Sequence, residues 1–192
     1  MIGWVRRPLI VLVLVVAACS SSNSRSVRGE TSKGATMASS APQSIQVTSS
    51  AFRDGETIPA EFTCSGAGHS PPLRWTGVPS AAVEVALVVD DPDAPGGTFL
   101  HWVLFALPPG DGGVEAATVP RGARQGRNGF GKAAYGGPCP PKGDPAHHYR
   151  FTVYALSRKL DRPDGAPGED VRRDAEASAM ATGRLVALYG RS

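Results

Sequence analysis

The sequence predicts a mainly β domain, two antiparallel sheets packed as a sandwich with peripheral helices, including one near the C-terminus. Three observations carry this. The 192 residues include 23 Gly and 17 Pro, so the chain punctuates itself with turns, which disfavours a helix bundle or coiled coil. Several apolar stretches have the length of strands, not helices. Only one segment reads as a helix, and runs of strands with few helices indicate an antiparallel sandwich. The 41% apolar share excludes wholesale disorder. A formal charge of +3 supplies no general field for nucleic acid. Three Cys are too few for a disulfide scaffold.

The chain divides into three parts, starting with an address. Arg6 and Arg7 precede an unbroken apolar run, Leu9 to Val16, followed by Ala17, Ala18 and Cys19. The run is shorter than the roughly 20 residues a spanning helix needs. It fits a secretory signal of residues 1–18. Val16-Ala17-Ala18-Cys19 also resembles the bacterial lipobox, whose Cys is diacylated and becomes the mature N-terminus. Loss of residues 1–18 lowers the formal charge from +3 to +1. Two acyl chains on Cys19 would anchor the protein stably, each buried CH₂ contributing about 0.8 kcal/mol. The expected location is the extracytoplasmic face of a membrane in a bacterial cell envelope. Residues 19–43, the lipidated Cys and a Ser-rich stretch with almost no large apolar side chains, read as a flexible tether. A coil of about 24 residues spans roughly 25–30 Å on average.

Residues 44–192 form the domain. Ile45 and Val47 alternate within Ser44 to Phe52. Val83 to Val89 is nearly continuous and apolar, as in a strand buried on both faces. Phe99 to Leu107 is similar and ends at Pro108-Pro109. Tyr149, Phe151, Val153 and Ala155 alternate with Arg150, Thr152 and Tyr154. The Ala-rich stretch Val171 to Ala181 is the helix, with a weak stripe of Val171, Ala175 and Met180, and Gly183 as its stop. Leu185 to Tyr189 closes a sheet.

Three polar clusters sit at strand ends. Asp90-Asp91-Pro92-Asp93-Ala94-Pro95 puts three carboxylates straight after a buried strand, on a turn stiffened by two prolines. A rigid solvated turn would look the same. His101-Trp102 lies inside an apolar run, where a His must satisfy a ring nitrogen. A backbone carbonyl would serve; an Asp of the preceding turn is the obvious partner. The third cluster runs from Tyr135-Gly136-Gly137-Pro138-Cys139-Pro140-Pro141-Lys142-Gly143 to His147-His148-Tyr149. Its glycines allow close backbone approach to a ligand. On a strand, His147 and Tyr149 face the same way and His148 the other.

Taken in order, these motifs resemble the phosphatidylethanolamine-binding protein family, most closely its bacterial Raf-kinase-inhibitor-like branch. The resemblance runs from about Ile45 to Tyr189. Phe62-Thr63-Cys64, Ser70-Pro71-Pro72-Leu73-x-Trp75 and Gln125-Gly126-x-Asn128 match as well. It implies a Greek-key sandwich and a small pocket for phosphate or phosphate-bearing headgroups, formed by Asp91, Pro92, His101, Pro140, Pro141, His147 and Tyr149. It also implies a binding or regulatory protein, of the kind that modulates a kinase or protease, with no cofactor and no catalytic residue. Chemically, imidazole N–H groups, the Tyr149 hydroxyl and loop N–H groups can donate to phosphoryl oxygens. Asp91 would orient a His or accept from an ammonium, and a carboxylate beside imidazoles raises their pKa.

Three residues depart from the family pattern. His148 stands where Arg is usual, Gly129 where Asp is usual, and Ala134 where Gly is usual. The stretch holding Arg121, Arg124, Arg127 and Lys132 then either faces anionic lipid or is a solvated loop. Cys64 and Cys139 remain after lipidation, and an even pair outside the cytoplasm tends to oxidise, which gives a disulfide expectation. Two other functional classes compete. Asp91, His101 and His147 could serve a metal-dependent or acid/base hydrolase, but there is no G-x-S-x-G elbow, HExxH or paired CxxC. A structural envelope lipoprotein with a vestigial pocket is the third class. The expected partners are a phosphate-bearing small ligand or phospholipid headgroup and the membrane itself, with no nucleic acid and no metal.

Overall fold

A computed structural model describes residues 44–192. The signal peptide, Cys19 and the tether read from the sequence lie outside the described residues. Among the described residues no helix is long and apolar enough to cross a membrane.

Among the described residues, eight strands form two antiparallel sheets. The smaller has the order β1-β2-β5, built from β1 (Gln46–Thr48), β2 (Leu73–Thr76) and β5 (Gly112–Val114). The larger has the order β6-β4-β3-β7-β8, from β3 (Glu84–Asp91), β4 (Phe99–Leu107), β6 (Arg124–Gly126), β7 (His147–Leu156) and β8 (Ala179–Tyr189). The α-helix α1 (Gly168–Ser178) precedes β8.

Both faces of the larger sheet are covered, which explains the apolar run in β3, whose eight residues are all buried. Val85, Leu87 and Val89 face the sandwich interior with Trp75, Trp102, Phe151 and Leu185. Ala86 and Val88 face the other way, under Val171 and Ala175 of α1. The helix therefore packs on the outside of the sandwich, as its weak stripe implied.

The helix reading needs two corrections. The helix is Gly168–Ser178, so Met180 is not on its stripe but exposed on β8. Gly183 is not a stop; it sits inside β8, opposite Val153. The chain turns extended at Ala179 because the Ser178 carbonyl accepts from Ser157 N–H at 2.9 Å, fixing the start of β8 beside the end of β7.

Cys64 and Cys139 form a disulfide. It fastens the loop after a short 3₁₀ turn (Ala60–Phe62) to the glycine–proline loop, beside a Cys64 N–H to Pro138 carbonyl bond of 3.1 Å and a Tyr135 hydroxyl to Phe62 carbonyl bond of 3.0 Å. The crosslink closes a sequence separation of 75 residues. Reduction, or Cys64→Ser, is expected to lower stability by up to about 4 kcal/mol, measured by urea unfolding with and without reductant. Coincident curves would sink this expectation.

Candidate functional site

Antiparallel pairing brings the end of β3 and the starts of β4 and β7 to one edge of the sandwich. Asp91 pairs with Phe99, and Asp90 with Arg150. Alternation then separates the two carboxylates. Asp90 turns to the helix side and takes a two-pronged bond from Arg150, with Nε and Nη2 each at 2.7 Å. Asp91 turns the other way and accepts from His147 Nδ1 at 2.8 Å, with both side chains almost fully buried. Its second oxygen accepts from the Asp93 N–H at 2.9 Å and ties down the turn.

His101 is aimed by an irregularity in β4. Val89 sits opposite Trp102 and Asp90 opposite Leu100, so β4 carries one extra residue, and Leu100 and Trp102 fall in different core clusters. Bulges of this kind re-aim a side chain. The ring of His101 enters the cavity, and its Nδ1–H donates to the Gly136 carbonyl at 2.7 Å. The Gly136 N–H donates back to the His101 carbonyl at 2.8 Å.

Six of the seven residues expected at the pocket line one cavity of about 230 Å³: Asp91, His101, Pro140, Pro141, His147 and Tyr149. Pro92 does not line it; it stiffens the turn behind Asp91. Sequence reasoning missed Ala94, Pro95, Phe99, Phe130 and Cys139, which complete the wall. Ala94 and Pro95 lay within the quoted turn motif, and Cys139 within the glycine–proline loop. Phe130 had no such signal. It is held by Asn128, whose Oδ1 accepts from the N–H groups of Phe130 (2.9 Å) and Lys132 (3.1 Å) and whose Nδ2 donates to the Ala134 carbonyl (2.8 Å). The Phe130 ring meets Phe99 and His101 edge-on, with centroids 4.8 and 5.9 Å apart.

The partner expected for His101 was an Asp of the preceding turn; the structure gives that Asp to His147 and a backbone carbonyl to His101. The pKa expectation is corrected with it. Burial pushes His101 below the usual histidine value, outweighing its bond to Gly136 and the Asp91 charge. With Nδ1–H committed to Gly136, neutral His101 presents Nε2 as an acceptor. The Tyr149 hydroxyl is buried beside the Asp91 carboxylate without a well-formed hydrogen bond; burial, then the Asp91 charge and its pull as an acceptor, push its pKa up, so it stays a donor.

The family departures have local accounts. His148 points away from His147 and takes Asp93 from both its N–H (2.8 Å) and its ring Nδ1 (2.7 Å). A Cβ on Gly129 would lie 2.4 Å from the Phe99 ring, so glycine there leaves room for Phe99 at the cavity mouth. Ala134 serves through its carbonyl alone. Among the described residues, no group of three or more His, Cys, Asp or Glu side chains is arranged to hold a metal.

Residues 48–190 match the family model described as phosphatidylethanolamine-binding protein. The chain belongs to this family. A Mycobacterium tuberculosis protein named "Putative lipoprotein LppC" is 38% identical over 186 residues, covering 94% of this chain and 92% of the relative. A Methanothermobacter thermautotrophicus protein named UPF0098 protein is 44% identical over 146 residues, covering 73% of this chain and 95% of the relative. The crystal structure of Escherichia coli YbcL, described as a new member of the mammalian family, superposes with a TM-score of 0.73 at 36% identity, covering 77% of this chain and 99% of that one. The fold of this phosphatidylethanolamine-binding protein relative is thus the family's two-sheet fold.

Proposed function

We propose that this family member is a non-catalytic binding protein of the bacterial envelope, tethered through a diacylated Cys19 to the extracytoplasmic face of a membrane. Its Asp91 cavity takes a phosphate-bearing group, free or as a phospholipid headgroup. The lipoprotein name of the mycobacterial relative supports the anchor. The observation that carries the ligand reading is the unpartnered Tyr149 hydroxyl, buried in a cavity it shares with the Asp91–His147 pair and His101.

The cavity suits a phosphate carrying one proton. Tyr149 donates its hydroxyl proton to a charged oxygen, beside the His147 ring that Asp91 fixes through Nδ1. Neutral His101 accepts the phosphate O–H at Nε2. Apolar walls of Ala94, Pro95, Phe99 and Phe130 exclude water and strengthen these bonds. At about 230 Å³ the cavity is smaller than the roughly 300–1,000 Å³ typical of drug-sized ligands, so it grips a headgroup and leaves acyl chains outside.

An NMR titration with phosphate, phosphoethanolamine and glycerophosphoglycerol tests this. Saturable shifts are expected at His101, His147 and Tyr149, weakened at least tenfold in His101→Ala. The His101 ring is expected to titrate below its ordinary 6.5. No shift at millimolar ligand would remove the cavity as the basis of function.

A further inference from the structure

The basic stretch read from the sequence does not stay together. Arg127 lines a cleft beside the start of α1, and Lys132 closes the Asn128 loop. Arg121 and Arg124 line a different cavity, of about 410 Å³, joined there by Lys159 and Glu84.

This second cavity lies at the start of β3, whereas the Asp91 cavity lies at its end. The eight residues of β3 separate them by roughly 23 Å. Glu84 is 4% exposed, and its Oε1 accepts from the N–H groups of Ala106 (3.2 Å) and Leu160 (3.5 Å). Three cations share the cavity with this one carboxylate. Among the described residues none of the three takes part in an ion pair, whereas Arg74, Arg150, Arg162, Arg172 and Arg173 all do. Arg124 spends one N–H on the Arg162 carbonyl at 2.7 Å and keeps the others. The Asp91 cavity, by contrast, has no Arg or Lys in its wall.

The described chain also begins at this end. Ile45 N–H donates to the Thr182 carbonyl, Thr182 pairs with Tyr154, and Tyr154 with Ala86, two residues from Glu84. Ser44, the first described residue, therefore lies at the Glu84 end of the sandwich, opposite the Asp91 cavity.

We propose that the Arg121–Arg124–Lys159 cavity is a second anion site that binds a phosphate group, and that in the tethered protein this phosphate belongs to an anionic lipid headgroup. Two arginine forks and an ammonium suit a phosphodiester or monoester. Seated this way, the Asp91 cavity faces away from the membrane and draws its ligand from the surrounding medium. The membrane half of the proposal rests on the tethering reading above; the anion site does not.

The test uses the full chain in detergent micelles and in vesicles. Inorganic phosphate and glycerol phosphate are titrated in micelles, with amide shifts followed at Gly122, Arg124 and Lys159. Hydrogen exchange is compared on vesicles of phosphatidylcholine with and without phosphatidylglycerol. Saturable shifts are expected, together with exchange protection of residues 121–124 and 157–160 on the anionic vesicles only. The exposed double variant Arg121→Gln/Lys159→Gln is expected to lose at least about tenfold in phosphate affinity, with the Tyr149 response to phosphate unchanged. Shifts without vesicle protection would assign the site to a free phosphate compound and overturn the headgroup. No shift and no protection would overturn the site. His101→Ala should leave the Lys159 response intact, which separates failure here from failure of the Asp91 cavity. Release of the chain from membranes would count against the anchor alone.

Discussion

Gly183→Ala is expected to destabilise the domain by about 3 kcal/mol, the upper end for overpacking a filled interior. At 2–4 °C per kcal/mol for a domain of this size, the melting temperature falls by roughly 6–12 °C. The cause is backbone, not side chain. A Cβ at position 183 would lie 1.9 Å from the Ile45 carbonyl oxygen and 2.6 Å from its carbon. Neither strand can retreat easily. Ile45 is held by its N–H bond to Thr182, and Gly183 is paired with Val153 in the middle of β7. The added methyl must therefore part β1 from β8, and with them the two sheets at the end where the chain enters. Gly96→Ala is the matched control, because its Cβ would meet nothing within 4 Å. Equal melting temperatures for the two variants would refute the argument.

The same glycine shows where sequence reading fails and why. Gly after an Ala-rich stretch is a normal helix stop, and Ala179, Met180 and Ala181 all favour helix locally. Pairing with β7 overrides that preference, and nothing in residues 179–183 announces the partner strand. The short strands failed for a related reason. Gly112–Val114 and Arg124–Gly126 carry little apolar pattern; they are strands because a neighbour offers its edge. The long strands were legible because burial on both faces writes itself as an unbroken apolar run, as in Glu84–Asp91 and Phe99–Leu107.

At the candidate site, residue types were legible and partners were not. Motif order picked out Asp91, His101, His147 and Tyr149, and strand alternation put His148 on the far side of His147. Which imidazole takes Asp91 depends on the extra residue in β4, a backbone event with no side-chain signature. Phe130 depends on the Asn128 turn folding back over the cavity. Asn128 itself was quoted from its motif, but its side-chain hydrogen bonds could not be read from it.

Asp91→Ala is expected to cost about 3 kcal/mol, the lower end for breaking a buried pair, and to abolish phosphate binding at the first cavity. It strands His147, which is 5% exposed, without its 2.8 Å partner, and it releases the Asp93 N–H as well. Asp91→Asn separates these roles. Its amide oxygen can still hold the turn, so stability falls less, but the carboxylate that fixes the His147 ring is gone and affinity should fall almost as far. The two variants also differ from wild type in how acid affects them. Burial holds His101 below its ordinary 6.5, so the unfolded chain binds more protons than the folded one as pH drops. The stability that neutral His101 contributes is complete above pH 6.5 and declines below it, down to the folded midpoint. Asp91 opposes this by favouring the charged ring. Removing its charge withdraws that support, while the neighbouring His147 ring acts the other way; a net lower folded midpoint and a steeper acid loss are expected. Ring-proton titration of His101 in wild type and Asp91→Asn measures the first effect, and melting curves between pH 7 and 5 measure the second. An upward shift of the His101 midpoint in the variant would mean that Asp91 does not act on His101 through its charge, and the assignment of His101 as a neutral acceptor would fail with it.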